Sequence, residues 1–204
     1  MSFSEKAWKV FNQSIADYHT KDEIGTEEQN PYKEKTLENL LYSKNWIDTV
    51  QWHLEDLIRE ENIDPEYALV LKRLIDSSNQ KRTDAVEYID EWFFRKYKSS
   101  SLKKKAKINT ETPAWAVDRL SILALKIYHM SLEVFRRSAT EEHRVTCHQK
   151  LLILEEQKKD LSSAIDDLLV DIKEGRVQIK RYKQMKMYND KELNPVLYQL
   201  KKNE

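Results

Sequence analysis

The stretch Thr112-Pro-Ala-Trp-Ala-Val-Asp-Arg-Leu-Ser-Ile-Leu-Ala-Leu-Lys-Ile-Tyr-His-Met130 decides the fold. Thr112 suits a helix N-cap, and Pro113 suits the first helical position, where its missing N–H is not needed. From there Val117, Leu120, Leu123, Ile127, Met130 and Val134 recur at three- and four-residue steps, the period of an α-helix. Between Leu120 and Met130 the apolar residues spread around most of the circumference. Such a helix needs neighbours on several sides, which predicts the central, most buried helix of a bundle.

The same grammar extends outward in both directions. Toward the N-terminus, Trp8, Phe11, Ile15 and Tyr18 predict a first helix from about Ser4 to Tyr18, opened by a Ser2/Glu5 capping box. A polar connector from Thr20 to Lys35 holds Gly25 and Pro31. Thr36 caps a second helix reaching about Glu61, with a seam of Leu37, Leu40, Leu41, Ile47, Val50, Leu54, Leu57 and Ile58. Asp64-Pro65 starts a third, which carries Leu71, Ile75, Val86, Ile89 and Phe93 towards Tyr97. Beyond the central helix, Thr140 caps a fifth, with Cys147, Leu151, Leu161, Ile165 and Ile172, and Gly175 stops it.

The predicted fold is therefore all-α: an elongated antiparallel bundle of about five long helices with a clasping C-terminal tail. One domain is expected over residues 1–204, with an N-terminal helix and connector in 1–35, a first long hairpin in 36–98, a second in 112–175 and a tail in 176–204. The lysine-rich break Ser99–Asn109 reads as a solvated loop. In the tail, Val177 and Ile179 alternate, but an isolated strand has no partner. An extended or broken-helical course along the bundle is expected, pinned at its end by Leu193, Pro195, Val196, Leu197 and Tyr198.

Composition supports this reading. Only 2 glycines and 4 prolines occur in 204 residues, 34% of which are charged, so little interrupts long amphipathic helices. The formal net charge is zero, which gives no strong attraction to nucleic acid or to an anionic membrane. A single cysteine excludes an internal disulfide framework and fits a reducing compartment. No apolar run approaches the ~20 residues of a transmembrane segment, and the start Met1-Ser-Phe-Ser-Glu-Lys-Ala-Trp lacks a signal-peptide core. A cytoplasmic protein is expected. No phosphate-binding glycine loop, nucleophile elbow or paired-cysteine zinc spacing is present, and no cofactor is required by the sequence.

Polar groups in the apolar seams are the candidate sites. In an antiparallel hairpin, facing residue numbers sum to about 125 for helices two and three and about 277 for helices four and five. Ser78, Asn79 and Arg82 then approach Ser43, Asn45, Trp46 and Asp48. The first reading is a satisfied polar layer in which Arg82 pairs with Asp48 and fixes register. The second is an anion pocket built from Arg82, Asn79, Asp48, Trp46 and His53, with Arg119 nearby. His129, Glu133 and His148 form a candidate metal set, ranked below an ordinary structural role. A carboxylate stripe of Asp84, Glu87, Asp90 and Glu91, opposite Glu38, is a weak echo of magnesium-gathering helical pyrophosphatases and reads first as a solvated face.

Several segments carry a resemblance: Asn45-Trp-Ile-Asp48, Ser78-Asn-Gln-Lys-Arg82-Thr-Asp84, Asn109 to Trp115, Asp118 to Met130, Tyr182 to Asn189, and Leu193-Asn-Pro-Val-Leu-Tyr198. In order and spacing they resemble an uncharacterised bacterial all-helical family, catalogued as a domain of unknown function, over about Leu37 to Lys201. The resemblance implies an all-helical fold and brings no activity or assigned catalytic residue. The stretch Asp118 to Lys126 is also similar to a motif in a second uncharacterised bacterial family, and such families imply a setting among surface-polysaccharide genes. The leading expectation is an interaction or scaffold module with a protein partner or self-association, serving cell-envelope polysaccharide synthesis. The competing one is a small-molecule-binding bundle or metal-dependent hydrolase acting on an anionic, nucleotide-like substrate.

Overall fold

A computed structural model describes residues 1–185, 187 and 190–199; Lys186, Tyr188, Asn189 and residues 200–204, all within the expected tail, lie outside the described residues. The chain is all-α, as predicted. Its elements are α1 (Phe3–Tyr18), α2 (Leu37–Leu57), α3 (Pro65–Tyr97), β1 (Lys107–Ile108), α4 (Pro113–Phe135), α5 (Glu141–Lys173), β2 (Val177–Gln178) and α6 (Pro195–Gln199).

Each long helix starts where its capping residue placed it. The side chains of Ser2, Thr36, Asp64, Thr112 and Thr140 accept from the backbone N–H of Glu5, Asn39, Tyr67, Trp115 and His143. These caps satisfy N–H groups that have no partner within their helix. The Ser2/Glu5 box is complete in both directions. Two short turns, one before α3 and one before α5, make α2–α3 and α4–α5 hairpins. α4 touches α1, α2, α3 and α5. Its residues Ala114, Val117, Leu120, Ala124 and Leu125 are fully enclosed, so the apolar stretch quoted above is the axis of the bundle. Around it pack Phe11, Ile15 and Tyr18 of α1, Leu41, Tyr42 and Trp46 of α2, Val86, Ile89 and Phe93 of α3, and Ile165 and Leu169 of α5. A smaller cluster of Leu54, Leu71 and Ile75 closes the α2–α3 hairpin near its turn.

The tail departs from expectation in two respects. Val177 does find a strand partner. β2 pairs in parallel with β1, with Lys107 opposite Val177 and Ile108 opposite Gln178. The loop that supplies β1 is the lysine-rich break, whose Lys103, Lys104 and Lys105 are exposed as expected. It is stitched to the end of α5 by Lys103 N–H donating to Gly175 O (3.0 Å) and Lys107 N–H donating to Arg176 O (2.8 Å). Gly175 adopts φ 71°, and a Cβ there would stand 2.0 Å from the Ser101 carbonyl oxygen. Glycine therefore both ends α5 and admits the loop. The tail clasps the bundle through Ile179, which packs on the core, and through an Arg181–Glu91 ion pair. Of the residues expected to pin its end, Leu193, Pro195, Val196 and Tyr198 are exposed and Leu197 is half-buried. Among the described residues no helix is long and apolar enough to cross a membrane.

Candidate functional site

Four ionised side chains meet where α2, α3 and α4 cross. Lys44 and Asp48 lie one turn apart on α2, Asp118 sits on α4 and Arg82 on α3. The Lys44 side chain is 0% exposed. Its ammonium pairs with Asp48 and, at 2.7 Å, with Asp118 Oδ1. Arg82 grips Asp118 in two places, Nε donating to Oδ1 (3.1 Å) and Nη2 to Oδ2 (2.7 Å). Its Nε also lies 3.3 Å from Asp48 Oδ1. Ser121 donates its hydroxyl to Asp48 Oδ2 (2.6 Å), and Asn45 Nδ2 donates to Ser121 Oγ (3.0 Å). Two cations and two anions cancel, which is how charges survive out of water. Burial pushes the Asp48 carboxyl upward against the pull of Lys44. Burial acts the same way on Asp118, but Lys44 and Arg82 outweigh it and hold that carboxyl below the usual range.

The expected Arg82–Asp48 contact is present, but Asp118 is the stronger partner of Arg82. Lys44 and Asp118 were missed as site residues. Their signals were readable: a lysine and an aspartate at i and i+4 in a seam, and an aspartate inside the most apolar helix. Of the rest of the expected pocket, Arg119 lines an opening beside Arg82, whereas Asn79 and Trp46 make other contacts. Asn79 Oδ1 accepts from Gln51 Nε2 (2.8 Å). Trp46 is a core residue, edge-on to Tyr18. Arg119 is exposed and pairs with Glu111 at 3.2 Å.

Arg82 nonetheless reaches the surface, with 30% of its side chain exposed, and two openings flank it. One, of about 300 Å³, is walled by Asp48, Gln51, Trp52 and Glu55. The other, of about 670 Å³, lies between α4 and α5 and holds Arg82, Asp118, Arg119, Lys126 and Asp160.

The expected metal set separates. The α4–α5 register was right, since Glu133 faces His143 at 2.8 Å. His148 instead is exposed, and Glu133 is held by His143 and Arg136, whose hydrogen bonds lower its carboxyl pKa. His129 does not join Glu133, and its Nε2 is buried toward the bundle.

There it meets His19, the residue that caps the C-terminus of α1, and His53 of α2. Ligand nitrogens of the three rings lie within 4.8 Å of one another, and His53 Nε2 is 3.3 Å from His19 Nε2. Asp22 Oδ1 lies 3.6 Å from His53 Nε2 and 3.9 Å from His19 Nε2. His129 Nε2 is buried and has no hydrogen-bond partner. Aromatic faces fix the rings: Trp52 stacks on His129 (4.6 Å), Tyr18 on His53 (5.2 Å), and Tyr128 tilts onto His19 (4.4 Å). Burial, then the two other imidazoles, pushes His129 down to about 4, and burial lowers His53 as well. His19 was missed because only the packing of α1 brings it to residues so distant in sequence.

Among the described residues the carboxylate stripe does not converge into a group that could hold a metal. Asp90 is buried and receives the Thr112 hydroxyl (2.8 Å) and the Ala114 N–H (3.3 Å), which makes it a bracket for the start of α4. Burial raises its carboxyl to about 6. Glu38 pairs with Lys6 of α1.

No curated protein and no solved structure matches this chain. A family described as "protein of unknown function (DUF4254)" matches residues 38–181, a span that holds α2 to α5, both hairpins and the whole buried charge cluster. The chain belongs to that family.

Proposed function

We propose that the protein is a small-molecule-binding bundle whose site is the cleft beside Arg82, and that its ligand carries a phosphate or phosphate ester. The carrying observation is the state of Arg82. Two carboxylates fix its guanidinium from behind, while its outer edge lines both openings. An arginine held in one orientation loses little entropy on binding an oxyanion, and its planar fork suits phosphate. Arg119 and Lys126 line the same cleft, and Lys126 makes no ion pair among the described residues. Asp160 on the opposite wall is placed to accept from hydroxyl groups. Sugar nucleotides combine those features and suit a role in cell-envelope polysaccharide synthesis.

Calorimetry against a panel of sugar nucleotides, nucleotides and inorganic phosphate tests this. Lys126→Glu and Arg119→Glu lie on the surface and leave the core intact, so their loss of binding reports the cleft. A panel with no binder, or a binder indifferent to both reversals, refutes the reading.

A second reading, an interaction module, is favoured by the outer surface of the second hairpin. Phe135 is 77% exposed, Leu152 58% and Ile153 56%, and only Cys147, Ile165, Leu169 and Ile172 of α5 are buried. Self-association would remove such surface from water. Light scattering of the purified chain with and without Leu152→Glu/Ile153→Glu checks it. A monomer at every concentration counts against self-association.

A further inference from the structure

The cluster of His19, His53 and His129 is separate from the Arg82 cleft and has its own chemistry. We propose that these three imidazoles bind one divalent first-row transition metal of the zinc class, with Asp22 facing the fourth position.

Four observations converge. First, the spacing suits a metal. Zinc–nitrogen bonds of about 2.0–2.1 Å at tetrahedral angles separate ligand nitrogens by about 3.3–3.4 Å. His19 Nε2 and His53 Nε2 stand 3.3 Å apart. Second, the tautomer is set for one ligand. His19 Nδ1 lies 2.6 Å from the Ile15 carbonyl oxygen, which can only accept, so Nδ1 carries the proton and Nε2 presents its lone pair to the cluster. This is the outer hydrogen bond that metal-ligating histidines habitually make.

Third, His129 Nε2 is enclosed without a partner. A buried polar atom left unmatched costs about 1–3 kcal/mol, and a cation between the rings would match it. Fourth, a carboxylate is aimed at the same point. Asp22 sits at φ 54°, in the left-handed turn after α1 closed by its own N–H donating to Tyr18 O (3.0 Å). That conformation is tolerated by aspartate. It brings Oδ1 to within 3.9 Å of two of the imidazoles, a small movement from direct ligation or one hydrogen bond from a metal-bound water. Imidazole nitrogens with one carboxylate select zinc, copper, nickel or iron over magnesium and calcium. The ligands come from α1, α2, α4 and the turn after α1, so the ion would tie the N-terminal helix to the bundle.

The test uses the full chain, stripped with chelator and desalted, then titrated with zinc chloride. Elemental analysis after desalting is expected to find one equivalent per chain, and a hundredfold excess of zinc over its dissociation constant raises the melting temperature by about 5–10 °C. His53→Gln, at a half-buried position, lowers affinity more than about a hundredfold, beyond the range for loss of an outer-shell partner. Asp22→Asn, on the surface, lowers it less. His143→Ala leaves it unchanged, which separates this centre from the exposed Glu133–His143 pair. Cobalt in place of zinc gives the intense visible bands of a four-coordinate ion, and these report geometry even where a variant is destabilised. Less than about a tenth of an equivalent of zinc in the native chain, six-coordinate cobalt, or binding that survives His53→Gln and vanishes with His143→Ala overturns the proposal.

Discussion

Replacing Lys44 with methionine should be among the costliest conservative changes in this chain. Methionine matches the length and bulk of the lysine stem, so packing is kept and the charge alone is lost. The side chain is 0% exposed, and its ammonium is shared by Asp48 and Asp118. Without it, Arg82 faces two carboxylates, and one negative charge stands buried without compensation. Breaking a buried ion pair from one side costs about 3–5 kcal/mol. Unfolding entropy is about 0.4 kcal/mol per degree for a chain of this length, so the melting temperature should fall by about 7–12 °C. The deficit should also depend on pH in a known direction. Asp48 already has its carboxyl pushed upward; losing Lys44 pushes it further. A raised carboxyl means that the folded state binds more protons than the unfolded one, so stability recovers as pH falls towards the ordinary carboxylate range. The gap between wild type and variant is therefore wider at pH 8 than at pH 5. The double variant Lys44→Met/Asp48→Asn removes one charge of each sign and leaves Arg82 with Asp118. Urea unfolding of the four proteins in this cycle should give a favourable coupling of about 1–3 kcal/mol. A single variant that loses less than about 1 kcal/mol, or a double variant that equals the sum of its parts, would show that the cluster is not the interdependent unit described here.

Further outcomes follow from other elements. Gly175→Ala combines a left-handed backbone with a Cβ 2.0 Å from Ser101 O, and should cost more than about 2 kcal/mol; Gly25→Ala, with φ 99° and open space around it, should cost only the backbone part, so the two melting curves separate conformation from clash. Asp90, raised to about 6 by burial, makes the fold less stable as pH rises from about 4 to 6; Asp90→Asn should flatten that slope in a stability–pH profile while Thr112 still starts α4. Asp166 receives the Ser4 N–H (2.9 Å) and hydroxyl (2.6 Å) at the start of α1, so Asp166→Ala should speed hydrogen exchange of α1 amides before those of α4.

The helices were legible because their signals are local. Thr36, Asp64, Thr112 and Thr140 mark starts by a hydrogen bond made within three residues, and the apolar surround of Leu120 to Ile127 announces burial whatever the partners are. Register was legible too, since a short turn forces Glu133 to face α5 at a predictable level. Azimuth was harder. His129 and Glu133 are one turn apart and near the same helix face, yet His129 meets His19 and His53 while Glu133 meets His143 of α5. The pairing of β1 with β2 and the arrival of His19 at His53 join segments far apart in sequence, which no local period encodes. Arg82 and Asp48 were found together because both hairpin and seam pointed there. Asp118 completes their cluster from a different hairpin, beyond the reach of either register rule.

The self-cancelling quartet of Lys44, Asp48, Arg82 and Asp118 has an evolutionary consequence. Any single step that alters its sum of charges strands an ion in the interior, so drift at these positions is blocked unless two changes arrive together. Lineages descended from a common ancestor should thus either keep all four letters or exchange them in sign-compensating couples. An alignment of relatives in which Lys44 and Asp48 vary independently of Asp118 and Arg82 would contradict that constraint.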